Sequence, residues 1–233
     1  MTALLASVKN YQEAMLALEC GVGIIDLKQP ERGALGALDI PDIKTIAAAV
    51  AGKCPLSATI GDLPTLPDTV HAAVSNLSTT GVDYIKIGFF AGGDWPSTLA
   101  CLASIHHAGL IAVLFADQEP DLRFIPLLKQ AGFAGVMLDT ADKSKGGLTA
   151  YLAENAIAEF VDSARNNHLL CGLAGSLKIS DIAGLMAFRP DYLGFRGALC
   201  RQQQRTATLD AEAVKAVRQC LAQALLKPES LAF

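Results

Sequence analysis

The chain is poor in the features that mark several common classes of function. Charge is sparse, with 19 Lys and Arg against 23 Asp and Glu in 233 residues and a net charge of −4. Without a basic excess, nucleic acid is not an expected partner, and any anion must be held locally, at a site. Long apolar runs are missing too. Residues 110–115 form one of the longest, far short of the roughly 20 residues that cross a bilayer, and 1–10 holds too short an apolar run for a signal peptide. No membrane association is expected. The six cysteines (Cys20, Cys54, Cys101, Cys171, Cys200 and Cys220) contain no Cys-x-x-Cys pair and no zinc spacing, so they read as reduced thiols of a cytoplasmic protein. Only four histidines occur, His71, His106, His107 and His168, all falling in helices or at helix ends. No metal site is expected, and a metal-dependent aldolase is disfavoured. The single tryptophan, Trp95, opens a helix and is assigned to packing.

What the chain does have is apolar content, 52% of residues, enough for a large core. Short apolar runs of strand character recur at 4–8, 23–28, 55–62, 84–88, 110–115, 135–139, 169–174 and 192–196. Between and after them lie helical segments at 11–20, 43–50, 68–78, 95–107, 119–130, 148–166, 180–188 and 210–226, most stopped by glycine. Eight strands alternating with eight helices, in units of about 20 to 35 residues, predict an α/β fold of the (β/α)8 TIM-barrel kind, one domain over 1–233. Strands apolar on both faces suit a parallel sheet covered by helices. The alternative, an open doubly wound sheet, would usually carry Gly-x-Gly-x-x-Gly after its first strand, and Ser7-Val8-Lys9 offers none.

In such a barrel, chemistry sits at the C-terminal strand ends. The polar residues there are Asp26 and Lys28, Asp62, Lys86, Asp117, Asp139 with Lys143 or Lys145 just beyond, Ser176 and Arg196. In Ile24-Ile25-Asp26-Leu27-Lys28, alternation puts Asp26 and Lys28 on one face and Ile25 and Leu27 on the other. Lys28, Lys86 and Asp139 come from strands 2, 4 and 6, a parity that allows one interior layer. Lysines crowded in a partly buried pocket favour the neutral amine, which can add to a carbonyl and form a Schiff base. Neighbouring carboxylates can then move protons. Gly172-Leu173-Ala174-Gly175-Ser176 and Gly194-Phe195-Arg196-Gly197, after strands 7 and 8, read as a phosphate site in which Gly175, Ser176, Arg196 and Gly197 make the contacts. Arg201 and Arg205 are possible helpers.

Taken together, Ile25-Asp26-Leu27-Lys28-Gln29-Pro30 with Gly33-Ala34-Leu35-Gly36-Ala37, Leu56-Ser57-Ala58-Thr59-Ile60-Gly61-Asp62, Asp83-Tyr84-Ile85-Lys86-Ile87-Gly88, Gly135-Val136-Met137-Leu138-Asp139-Thr140-Ala141, Leu173-Ala174-Gly175-Ser176-Leu177 and Arg196-Gly197-Ala198 resemble the (5-formylfuran-3-yl)methyl phosphate synthase family over nearly the whole chain. The resemblance implies that two molecules of glyceraldehyde 3-phosphate condense to a furan aldehyde phosphate, with loss of phosphate and two waters, in methanofuran-type cofactor biosynthesis. It implies Lys28 as the Schiff-base lysine, Lys86 as a proton acceptor, and Asp26, Asp139 and Lys143 as further active-site residues. The family's Asp-Thr-Ala-x-Lys spacing favours Lys143 over Lys145. No cofactor is implied, because the lysine itself is the electron sink. In this mechanism an enamine on Lys28 attacks the aldehyde of the second triose. Gln29, where Asn is frequent, and the loop 201–205 depart from the family pattern.

Two other readings share some of these features. A class I aldolase or triose phosphate isomerase-like enzyme would use Lys28 but make no furan. A non-catalytic phosphometabolite-binding barrel would bind a triose without covalent capture. The apolar content is compatible with a buried subunit interface, and a homo-oligomer is the expectation.

Overall fold

The computed structural model describes residues 2–105, 107–142 and 146–226. Its strands are β1 (Ala3–Val8), β2 (Ile24–Leu27), β3 (Leu56–Thr59), β4 (Tyr84–Phe89), β5 (Gly109–Phe115), β6 (Gly135–Asp139), β7 (Leu170–Leu173) and β8 (Tyr192–Phe195). They close into a barrel in sequence order, every neighbouring pair parallel, with β8 returning to β1. The helices are α1 (Tyr11–Glu19), α2 (Ile40–Val50), α3 (Pro67–Ser78), α4 (Trp95–Leu102), α5 (Ile125–Gln130), α6 (Leu148–Tyr151), α7 (Glu154–Asn166), α8 (Ile182–Ala187) and α9 (Ala211–Leu226). Because each crossover returns the chain to the same end of the sheet, all eight strands run toward one mouth.

All eight expected strands are present, and three expected helices differ. The segment 148–166 divides because Leu152 is extended (φ −117°, ψ 131°), so α6 and α7 are separate. The segment 119–130 begins with Glu119 in the left-handed region (φ 48°), and regular α-helix starts only at Ile125. Pro120, which lacks an N–H and restricts the residue before it, sits in that break. The third, α4, stops at Leu102, well before 107.

Apolar side chains form two bodies. One lies between sheet and helices and includes Val8, Ile25, Leu27, Ile43, Ile85 and Phe160. The other fills the barrel and includes Leu5, Leu35, Ile111, Val113, Phe115, Met137 and Tyr192. The split follows strand alternation: Ile25 and Leu27 face the helices, while Asp26 and Lys28 line the interior cavity. Inside, Gly172 makes room for Tyr192, since a β-carbon there would lie 2.2 Å from the Tyr192 ring. Trp95 packs as expected, with ring centroids 4.4 Å from Phe89 and 4.5 Å from Phe124.

Candidate active site

At the C-terminal mouth lies a cavity of about 270 Å³, bordered by residues of β1, β2, β4, β6 and β8 and by the loops after β2, β7 and β8. Its floor is charged. Strand register sets Ser7, Asp26 and Ser57 side by side, because Asp26 is the ladder partner of both serines. Ser7 Oγ donates to Asp26 Oδ2 at 2.8 Å and Ser57 Oγ to Oδ1 at 2.6 Å. Lys86 Nζ completes the set at 2.9 Å from Oδ1. Asp26 and Lys86 are 1% and 3% exposed. Burial alone would raise the Asp26 pKa, but Lys86, Lys28 and the Ser57 hydroxyl outweigh it and hold the carboxyl below its ordinary value. Burial pushes the Lys86 pKa down, against the pull of Asp26. Asp26 is therefore a fixed carboxylate, and Lys86 a lysine shifted toward its neutral, proton-accepting form.

Lys28 stands nearer the mouth, with Nζ 3.8 Å from Asp139 Oδ2. Asp139 Oδ1 accepts the Thr140 N–H at 2.7 Å. The even-strand parity expected for Lys28, Lys86 and Asp139 thus brings them to one cavity, but not to one layer. Asp26 and Lys28 are two residues apart on one strand, so their partners Lys86 and Asp139 sit at successive depths. Lys86 also borders a second cavity of about 240 Å³ at the opposite end of the barrel, beside Tyr84 and Tyr192.

The loops after β7 and β8 form the cavity wall. Gly175 (φ 103°) and Ser176 (φ 48°) turn sharply, and a β-carbon at Gly175 would press on Thr140 at 3.0 Å. Among the described residues, the backbone N–H groups of Ser176, Gly197 and Ala198 donate to no protein oxygen, leaving donors for an anion. Arg196 does not join them, contrary to the sequence expectation. Its Nε donates to Arg205 O (2.7 Å), Nη1 to Ser7 O (3.1 Å) and Glu13 Oε2 (2.5 Å), and Nη2 to Glu13 Oε1 (3.3 Å) and Ala207 O (2.7 Å). All five N–H donors of a guanidinium are thereby used on the protein. Both Arg196 and Arg205 border the cavity, and of the two only Arg205 keeps most of its N–H donors uncommitted among the described residues.

Two expected strand-end acids hold backbone rather than face a substrate. Asp62 accepts the Ala34 and Leu35 N–H groups at 2.7 and 2.6 Å, pinning the loop after β2. Asp117 accepts those of Ala141 and Asp142 at 2.8 and 2.7 Å, pinning the loop after β6. Lys143 and Lys145 lie outside the described residues, as does His106. The other histidines do not border the cavity. Sequence reasoning passed over Ser7, Ser57 and Glu13. The two serines carried a signal in their register beside Asp26. Glu13 carried none, since a glutamate in a first helical turn is ordinary.

Residues 4–218 match the family model described as 4-HFC-P synthase. A protein of Methylorubrum extorquens, provisionally designated a (5-formylfuran-3-yl)methyl phosphate synthase, is 43% identical over 219 residues, covering 92% of this chain and 91% of its own. The (5-formylfuran-3-yl)methyl phosphate synthases of Methanosarcina acetivorans and Methanopyrus kandleri are 33% and 36% identical, covering 93% and 87% of this chain and 98% and 91% of theirs. Among solved structures, phosphoribosyl anthranilate isomerase of Thermotoga maritima superposes with a TM-score of 0.70 at 14% identity, covering 96% of this chain and 100% of that one. A 3-hexulose-6-phosphate synthase gives 0.67 at 17% identity, covering 94% and 100%. At such identities these two speak for the barrel fold alone.

Proposed function

This chain belongs to the 4-HFC-P synthase family, and from that premise we propose how its cavity makes (5-formylfuran-3-yl)methyl phosphate, the step it supplies to methanofuran biosynthesis. The substrate is a phosphorylated small molecule, and we take it to be two molecules of glyceraldehyde 3-phosphate. The observation that carries the reading is the stacking of two buried lysine–carboxylate pairs, Lys86–Asp26 and Lys28–Asp139, beneath a wall of uncommitted backbone N–H groups.

Lys28 adds to the aldehyde of one triose and, with loss of water, forms an iminium. Lys86 removes the proton from C2, and the electron pair expels phosphate from C3. What remains is an iminium conjugated to a C2=C3 double bond, electrophilic at C3. The connectivity of the product then fixes the carbon–carbon bond. The furan carries its phosphomethyl group on the former C2 of the second triose, so that C2, and not the aldehyde carbon, must join C3 of the first, giving up its proton to a cavity base as the triose passes through its enediol and regaining the aldehyde as the bond forms. This corrects attack on the aldehyde as the bond-forming step. The C2 oxygen of the first triose closes the ring on the second triose's aldehyde. One water leaves from the second triose's C2 with a proton from the neighbouring ring carbon. The other leaves from the closing carbon, with the Lys28 nitrogen pushing electrons through the conjugated chain. Hydrolysis of the furan iminium frees Lys28. The sum is one furan aldehyde phosphate, one phosphate and two waters.

Asp26, held ionised by Lys86, Lys28 and the Ser57 hydroxyl, orients Lys86 and relays its proton. Asp139 does the same for Lys28, and Lys143 belongs to the proposed set by family spacing. Gly175, Ser176 and Gly197 receive the first phosphate. The reaction needs no cofactor, because the iminium is the electron sink. We take the protein to be a cytoplasmic homo-oligomer of single-domain subunits, its mass in solution being readable by light scattering. The reaction is tested by incubating the purified protein with glyceraldehyde 3-phosphate alone. A rising near-ultraviolet furan-aldehyde absorbance, matched mole for mole by released phosphate, is expected. Triose turnover without absorbance would point to an aldolase or isomerase.

A further inference from the structure

We propose that Arg205 is the cation that holds the phosphate of the second triose, and that the buried Arg196–Glu13 pair is the brace that keeps it over the cavity. The assignment rests on the two-triose reading above. It begins with a count of charge. Asp26 and Asp139 are matched by Lys86 and Lys28, and Arg196 by Glu13. Among the described residues, which exclude Lys143, these pairs leave no positive charge over, whereas two phosphate monoesters bring as many as four negative charges. Among the described residues, the Arg205 guanidinium makes one hydrogen bond, from Nη2 to the Gly33 carbonyl at 2.8 Å, and no ion pair. Its other N–H donors are uncommitted, and a planar fork of donors suits a phosphate. The half-buried guanidinium borders the same cavity as Lys28 and Asp139, and its bond to Gly33 sets it against the loop after β2. Among the described residues of the cavity lining, Lys178 is the other cation without an ion pair, and it is exposed.

The loop that carries Arg205 is fixed from beneath. Arg196 donates to the Arg205 and Ala207 carbonyls at 2.7 Å each, and Glu13 Oε1 also accepts the Leu209 N–H at 3.1 Å. Gln202 and Gln203 adopt left-handed backbone (φ 53° and 56°), turning the chain back toward the cavity. Residues other than glycine keep that conformation when their surroundings over-determine it. The bond to Gly33 then ties Arg205 to the loop after β2, so its guanidinium and the Ser176, Gly197 and Ala198 N–H groups border one cavity from different loops.

Separate readouts for the two trioses test this. Borohydride trapping at Lys28, titrated with glyceraldehyde 3-phosphate, reports the first triose, and furan absorbance reports both. In Arg205→Gln, half-saturation of trapping should stay within about two-fold of wild type while that of furan formation rises about ten- to one-hundred-fold, the effect of losing a charge-assisted hydrogen bond. Arg205→Lys should recover part of the loss and, with its melting temperature, guards against a simple folding defect. Trapping and turnover weakened in parallel would overturn the assignment by placing Arg205 on the first triose. Unchanged turnover in Arg205→Gln would overturn it as well, with the wild-type reaction intact. A wild-type protein that makes no furan would overturn the two-triose reading and this assignment with it.

Discussion

A lysine only 3% exposed is costly as an ammonium unless a carboxylate stands beside it, and Asp26 supplies one at 2.9 Å. The pair is built for proton transfer rather than stability. Lys86→Met would leave Asp26 buried without its nearest cation and should cost about 3–5 kcal/mol. The double change Asp26→Leu with Lys86→Met removes both charges and should regain most of that loss while abolishing turnover. Chemical denaturation of the three proteins checks this, and a double variant no more stable than the single one would contradict it. The pH dependence has a definite sign. Unfolded, Lys86 keeps its proton up to about pH 10.4, whereas the folded protein releases it at lower pH. The unfolded state thus binds more protons between those two values, and the Lys86 contribution to stability rises with pH across that window. Asp26, with its lowered pKa, contributes above the ordinary carboxylate range, and its contribution is lost as pH falls through the folded value.

At the scale of elements, the first turn of α1 supports the active-site mouth from outside. Glu13 accepts from Arg196, the Lys9 N–H and the Leu209 N–H, joining β1, α1 and the loop after β8. Glu13→Gln keeps the shape but removes the charge, and should destabilise by about 2–4 kcal/mol, somewhat less than outright loss of a buried partner. By loosening the Arg205 loop it should also raise the triose concentration needed for furan formation. A denaturation midpoint and a substrate titration read the two effects, and an unchanged midpoint would contradict the brace. This is also where legibility in the sequence ran out. Alternation within β2 was enough to put Asp26 and Lys28 on one face, because it depends on neighbours in the chain. The role of Arg196 depended on Glu13, 183 residues away, and no local pattern announces such a pairing. An arginine followed by glycine at a strand end has the form of a phosphate contact, and only the filled donor set shows that it is not one. Helix ends suffered likewise: the break at Leu152 lies in a stretch whose composition is helical throughout.

At the scale of the whole molecule, the barrel sorts polar residues by depth and by side. Ser7, Asp26, Lys28, Ser57 and Lys86 crowd the β1–β4 side of the interior, and Ile111, Val113, Phe115 and Met137 fill the other. The eight strands were readable because each is a short apolar run with its own stop. Closure and register then decide which polar side chains meet, and those are long-range facts. The central claim is that the lysine nearer the mouth carries the covalent chemistry while the deeper one moves protons. The most direct test is borohydride reduction of the protein mixed with glyceraldehyde 3-phosphate, followed by peptide mass mapping of wild type, Lys28→Met and Lys86→Met. A triose adduct on the Lys28 peptide is expected in wild type and in Lys86→Met, with none in Lys28→Met. An adduct on Lys86, or furan formation persisting in Lys28→Met, would contradict the account.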